Sequence, residues 1–121
     1  MYSNKIIDHF QNPRNMGEIK NPDVKARVGN KVCGDVMEIY LNIDNNNKIT
    51  KAKFQTFGCA AAIATSSIIT ELVIGKSVSE AQKIKPKDID SSLGGLPNIK
   101  KHCADLSIEA LNKALDKYQK S

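Results

Sequence analysis

Apolar and polar positions alternate with a clear period in the middle of the chain. Met37, Ile39, Leu41 and Ile43 alternate with Glu38, Tyr40, Asn42 and Asp44, the period of a strand with one buried face. Ala52, Phe54 and Thr56 alternate with Lys51, Lys53 and Gln55 in the same way. Between them Asp44-Asn45-Asn46-Asn47-Lys48 is rich in residues that tolerate left-handed backbone, so the two strands form a hairpin. An earlier strand is predicted near Ala26 to Val32, with Gly29 suggesting a bulge.

At Gly58 the period changes. From Ala60 to Ile74 Glu71 is the only charge among Ala, Ile, Leu and Val, which predicts a helix buried on most of its circumference and stopped by Gly75. Ser77-Val78-Ser79-Glu80 has the form of a capping box, and Pro86 is placed to open another short helix. The chain loosens through Leu93-Gly94-Gly95-Leu96-Pro97. Ala104, Ile108, Leu111, Leu115 and Tyr118 then recur at helical spacing to the end, with Glu109–Lys113 and Asp116–Lys120 as i,i+4 pairs on the outer face. At the start Ser3 is a candidate N-cap for a short helix whose apolar face is Ile6, Ile7 and Phe10, ended by Asn12-Pro13. His9, beside Asp8, is expected to face solvent or to cap. Residues 15–23, with Gly17 and Pro22, read as loop.

The 121 residues fit one domain, since roughly 100–200 residues per domain is usual. Three cysteines with no Cys-x-x-Cys, and no secretory segment after Met1-Tyr2-Ser3-Asn4-Lys5, argue against a disulfide framework and for a reducing, cytoplasmic setting. No apolar run is long enough to span a membrane. The net charge of +5 comes mostly from scattered lysines, without the arginine-rich or aromatic-interleaved stripe of a nucleic-acid groove. It implies at most a bias toward acidic protein partners.

The chemistry concentrates in the cysteines. Cys59 falls where a strand turns through Gly58 into the buried helix, and unpaired N–H groups at a helix start favour a thiolate. A small apolar residue closing a turn is the competing reading. Cys33-Gly34-Asp35 forms a hairpin tip, where Gly34 lets both flanking side chains converge; alone, Asp35 would more often stabilise the turn. One strand-turn-strand excursion separates Cys33 from Cys59, so both emerge at the same end of the sheet. Cys103, preceded by His102, lies at or near a second helix start, in a loop neighbourhood made cationic by Lys100 and Lys101. This constellation suits a zinc site, an iron–sulfur site or a cysteine nucleophile, although adjacent His102 and Cys103 point about 100° apart on a helix and make a poor dyad. Spacing alone leaves the three open.

Asp8-His9-Phe10-Gln11-Asn12-Pro13-Arg14-Asn15, Cys33-Gly34-Asp35, Phe57-Gly58-Cys59 with its Ala-rich helix, and Leu96-Pro97 through Lys100 to His102-Cys103 resemble the iron–sulfur cluster assembly scaffold family, IscU and the N-terminal domain of NifU. The resemblance covers essentially the whole chain, in order. It implies an α+β fold, a small three-stranded antiparallel sheet packed by helices, with a short N-terminal and a long C-terminal helix, in agreement with the pattern above. It further implies that Cys33, Cys59 and Cys103 are cluster ligands, that Asp35 is the carboxylate that keeps the cluster labile, and that His102 is an accessory ligand. Such scaffolds are not enzymes with independent turnover. They take persulfide sulfur from a cysteine desulfurase, here with Cys103 as the implied acceptor, and build a [2Fe-2S] cluster. They pass it to acceptors such as ferredoxin; zinc is an alternative occupant of the apo or as-isolated form.

The family's chaperone-recognition segment is typically Leu-Pro-Pro-Val-Lys. Here Leu96-Pro97-Asn98-Ile99-Lys100 departs from it at Asn98, which leaves an Hsp70-type chaperone without a firm expectation. Lys101 also replaces a commonly apolar residue. Gly94-Gly95 is closer to NifU, without NifU's additional domains, and the insertion of the zinc-containing SufU branch is missing, which favours iron–sulfur over permanent zinc.

Overall fold

Three antiparallel strands in the order β1-β2-β3 carry the molecule: β1 (Val24–Gly29), β2 (Val36–Ile43) and β3 (Ile49–Phe57). The computed structural model describes residues 2–29 and 34–120. Ile39 sits between Ala26 and Phe54, and Val36 between Gly29 and Phe57. This register gathers Ala26, Met37, Ile39, Leu41, Ala52 and Phe54 onto one buried face, where each of the four large side chains contributes about 1.5–3 kcal/mol.

Two details of the sheet differ from the sequence pattern. β1 begins at Val24, and Gly29 is an ordinary paired residue at its end, with no bulge. The irregularity lies at Asn42/Ile43 instead, where the Asp23 carboxylate accepts from the Ile43 N–H at 2.7 Å and draws β2 out of step with β3. The following turn is stabilised by Asp44, whose Oδ1 accepts from the N–H groups of Asn46 and Lys48, while Asn47 takes a left-handed φ of 60°.

Helices cover the apolar face. α1 (Asn4–Gln11) is capped by Ser3, whose hydroxyl oxygen accepts from the Ile6 N–H at 3.2 Å. Its inward face is Ile6 and His9, whereas Ile7 and Phe10 are 41% and 45% exposed. The expected solvent-facing His9 is therefore corrected. It is buried because α2 (Ala60–Val73) offers it polar partners: Nδ1 lies 2.8 Å from Ser67 Oγ, and Nε2 lies 3.6 Å from Glu71 Oε1. α2 is buried nearly all round, as its composition predicts, and stops at Ile74–Gly75, where Gly75 has φ 89°.

α3 (Val78–Ala81) opens with the predicted reciprocal Ser77–Glu80 capping box, and α4 (Pro86–Ser92) starts on its proline. A 3-10 turn (Asn98–Lys100) leads into α5 (Lys101–Lys120), whose Ala104, Ile108, Leu111 and Leu115 are buried. The outer face of α5 differs from expectation. Among the described residues no ion pair joins Glu109 to Lys113 or Asp116 to Lys120. Lys113 instead donates to the Arg27 carbonyl at 3.0 Å, and Lys117 to the Lys25 carbonyl at 2.7 Å. A carbonyl at a sheet edge is a fixed acceptor, whereas a partner carboxylate on solvent-facing helix must be ordered for little gain.

Candidate metal centre

The end of the sheet marked by the Val36–Phe57 pair is where the site forms. Gly34, with φ 77°, delivers Asp35 into the start of β2. β3 leaves through Gly58 to Cys59, which is the N-cap residue of α2 and makes no side-chain capping bond. The first turn of α5 brings His102 and Cys103 to the same place.

These four side chains converge. Asp35 Oδ2 lies 3.7 Å from Cys103 Sγ, 4.0 Å from Cys59 Sγ and 3.8 Å from His102 Nε2. Cys59 Sγ and Cys103 Sγ are 3.9 Å apart, and His102 Nε2 is 3.6 Å from Cys103 Sγ. Metal–ligand bonds of about 2.0–2.3 Å in a tetrahedron require donors roughly 3.3–3.8 Å apart, and Asp35, His102 and Cys103, at 3.6–3.8 Å from one another, meet this as a three-donor group, with Cys59 at 3.9–4.0 Å from two of them. Cys33 lies outside the described residues.

The burial of each donor differs, and so does its chemistry. Asp35 is only 5% exposed, and its polar partners among the described residues are Cys59, Cys103 and His102. Among the described residues its carboxylate is aimed at the two thiols. Cys103 is 1% exposed. Burial pushes its thiol up first, and the neighbouring Cys59 and Asp35 push it further, so in this arrangement it is held protonated. The expectation that a helix start would favour its thiolate is thus corrected: Cys103 follows a 3-10 turn, sits inside the first turn of α5, and is enclosed. His102 and Cys103 also approach more closely than their helical divergence suggests, because the imidazole is long enough to reach back to the sulfur.

Cys59 is the more open thiol, and Lys100 lies beside it. The Lys100 ammonium is held above its usual range first by the charge of Cys59, then by Tyr2.

Several supporting residues were missed in the sequence. Thr65 Oγ1 and Ser107 Oγ both donate to the Cys103 carbonyl, at 3.3 and 3.0 Å, and so fix the start of α5 against α2. The run Thr65-Ser66-Ser67 inside a helix buried on most sides was the visible signal. Asp90 braces the approach loop by accepting from the Leu96 N–H at 2.6 Å and pairing with Lys101 at 3.7 Å. Gly94 and Gly95 in that loop have φ 76° and 98°, which L side chains rarely adopt. Gly58 is needed for space: a Cβ there would sit 2.6 Å from Asp35 Oδ1.

The model of the NifU-like N terminal domain matches residues 1–121, the full length of the chain. The chain belongs to that family. It is similar to a protein of Archaeoglobus fulgidus named iron-sulfur cluster assembly scaffold protein IscU 1, 53% identical over 118 residues, which are 98% of this chain and 76% of that one. The IscU scaffold protein of Escherichia coli K12 is 45% identical over 98% of this chain and 94% of its own. The Drosophila melanogaster relative, also 45% identical, over 98% of this chain and 79% of its own, is named an assembly enzyme. Among solved structures, a candidate SUF-system scaffold from Fervidobacterium islandicum aligns with TM-score 0.79 at 26% identity, over 94% of this chain and 96% of that one. The N-terminal NifU-like protein of Brucella abortus has TM-score 0.78 at 19% identity, over 98% and 94%, a likeness of fold. No described helix of this family member is long and apolar enough to cross a membrane.

Proposed function

We propose that the protein is a scaffold on which a [2Fe-2S] cluster is built and from which it is passed on, with Cys33, Asp35, Cys59, His102 and Cys103 as its ligand set. The cluster is cargo. The observation that carries this reading is the mixed donor set around Asp35 Oδ2, two thiols and an imidazole at 3.7–4.0 Å from one buried carboxylate. Iron–sulfur centres that stay in place are normally held by thiolates; a harder carboxylate in the set weakens the hold, as a donor must.

Sulfur reaches the site as a persulfide from a cysteine desulfurase. The Cys103 thiolate attacks the outer sulfur of the donor persulfide, that S–S bond breaks, and the donor cysteine leaves as a thiolate. Because Cys103 is buried and protonated at rest, this step requires the Gly94–Lys100 loop to open and the proton to leave, with Lys100 and Lys101 nearby to favour the anion. Exposed Phe57 and Ile99, at 74% and 79%, flank the opening and give a desulfurase or an apo-ferredoxin an apolar place to land. Asn98 stands within the segment an Hsp70-type chaperone would read, so chaperone use is a separate measurement.

Zinc is the second reading, favoured by the close grouping of the Asp35, His102 and Cys103 donors, and it would occupy the apo form. Anaerobic reconstitution with iron and sulfide, followed by iron, sulfide and zinc analysis, tests the proposal. A visible absorption band with matched iron and sulfide is expected. A colourless protein retaining one zinc through the procedure would refute it.

A further inference from the structure

We propose that the outer edge of β1, with the C-terminal half of α5 beside it, is a docking site for an extended acidic segment of a partner protein, which adds to β1 as a fourth strand. The backbone phase leads there. Phe54 exchanges both of its hydrogen bonds with the loop at Asn15 and Gly17, at 3.0 and 2.7 Å, so its backbone groups face away from β2. Directions alternate residue by residue, so Lys53 and Gln55 face β2, where they pair with Tyr40 and Glu38. Ile39 then faces β1 and pairs with Ala26. Lys25 and Arg27 are left presenting both N–H and C=O outward.

The chain treats its two sheet edges differently. Residues 15–17 cover the β3 edge, whereas at β1 the lysine ammoniums of Lys113 and Lys117 stand on the outward carbonyls, where the N–H groups of a fourth strand would be. No acceptor among the described residues meets the outward N–H of Lys25 or Arg27. Two clefts run along this seam. One, of about 550 Å³, lies between Val28 and the Glu109–Lys120 stretch of α5; the other, of about 440 Å³, lies between Pro22–Lys25 and Tyr118. Lys117 lines both and joins them into a groove beside the six residues of β1, roughly 20 Å of strand.

Charge selects the occupant. An added strand would turn alternate side chains toward Lys25 and Arg27 on one face, and toward Lys113, Lys117 and Lys120 on the other. Glu109 and Asp116 offset part of this charge, and Asp23 is committed to the Ile43 N–H. A second copy of β1 is opposed, because pairing it about Ala26 puts Lys25 against Arg27, and a parallel arrangement puts like against like. An acidic strand meets opposite charge on both faces. Lys113 and Lys117 lie roughly 15–20 Å along α5 from Cys103, so a segment bound there leaves the thiol site open.

The test uses a fluorescent Glu-Val-Asp-Val-Glu-Val peptide at low salt, read by anisotropy and by amide NMR of the full chain. Saturable binding that shifts the Lys25 and Arg27 amides is expected. Two peptides N-methylated on complementary alternate amides should behave oppositely, since only one set of amides faces β1: one binds, the other fails. The exposed-site variant Lys25→Glu/Arg27→Glu should weaken binding about tenfold or more. Equal binding of both methylated peptides, or of Lys-Val-Lys-Val-Lys-Val, would overturn the proposal. So would shifts confined to the Cys59–Cys103 end, a β1-mediated dimer in sedimentation, or no saturable binding.

Discussion

Replacing Gly58 by alanine should strain the site through a single methyl group. The backbone at Gly58 lies outside the left-handed region, so no conformational barrier opposes the change; the obstacle is room. The added carbon would lie 2.6 Å from Asp35 Oδ1 and 2.9 Å from both Asp35 Cγ and Ala62 Cβ, whereas ordinary contact begins at 3.4 Å. Ala62 belongs to the first turn of α2 and cannot withdraw alone, so the carboxylate must retreat by about 0.8 Å. It would retreat into thiols already 3.7 and 4.0 Å away. Overpacking of this kind costs about 1–3 kcal/mol, and the stiffer unfolded chain returns about 0.4–1 kcal/mol. A net loss of about 0.5–2 kcal/mol follows, or roughly 2–8 °C in Tm for a domain of this size. Thermal melts of Gly58→Ala, Asp35→Ala and the double variant measure it as a cycle. The penalty should shrink in the Asp35→Ala background, because the closest clash is gone while the 2.9 Å approach to Ala62 Cβ remains. The same penalty in both backgrounds would show that Asp35 is not the group that Gly58 makes room for.

Three further outcomes are expected. Asp35→Ala should slow cluster transfer to an apo-ferredoxin and prolong the visible absorbance in air, because His102 or solvent completes the coordination while the carboxylate exit route is lost; transfer at the parent rate would place the lability elsewhere. Mass spectrometry after incubation with a desulfurase and cysteine should find the added sulfur first on Cys103 and none there in Cys103→Ser; first labelling of the more open Cys59 would move the acceptor role to that residue. Burial, with the Arg14 charge second, holds the His9 imidazole below its usual 6.5, so the fold favours the neutral ring. Stability from His9 is therefore complete above about pH 6.5 and falls as the pH drops toward the folded value, and His9→Gln should flatten that acid slope in denaturant melts; an unchanged slope would contradict it.

The strands were legible because one buried face imposes a two-residue period, and Met37 to Ile43 and Ala52 to Thr56 keep it. Caps at Ser3 and Ser77 were legible because their chemistry is local. His9 was misjudged for the opposite reason. Its burial depends on Ser67, fifty-eight positions away, supplying a hydroxyl at the right place. Lys113 of α5 was likewise assigned to a local i,i+4 partner, when the acceptor that holds it is the Arg27 carbonyl of β1. At the site, topology brought the strand end and the helix starts together in the sequence pattern, and the family resemblance supplied the roles. What no pattern carried was the enclosure of Cys103, which reverses the electrostatics that a helix start would give it, and the space that Gly58 leaves for Asp35.

Cluster transfer from the reconstituted protein is the decisive measurement. The protein reconstituted anaerobically is mixed with apo-ferredoxin, and the visible circular dichroism of each is followed with time. The scaffold signal should decay as the ferredoxin signal grows, with no free iron trapped by a chelator present in the mixture. A cluster that stays on the protein while apo-ferredoxin remains empty, or that moves only through chelatable iron, would contradict it.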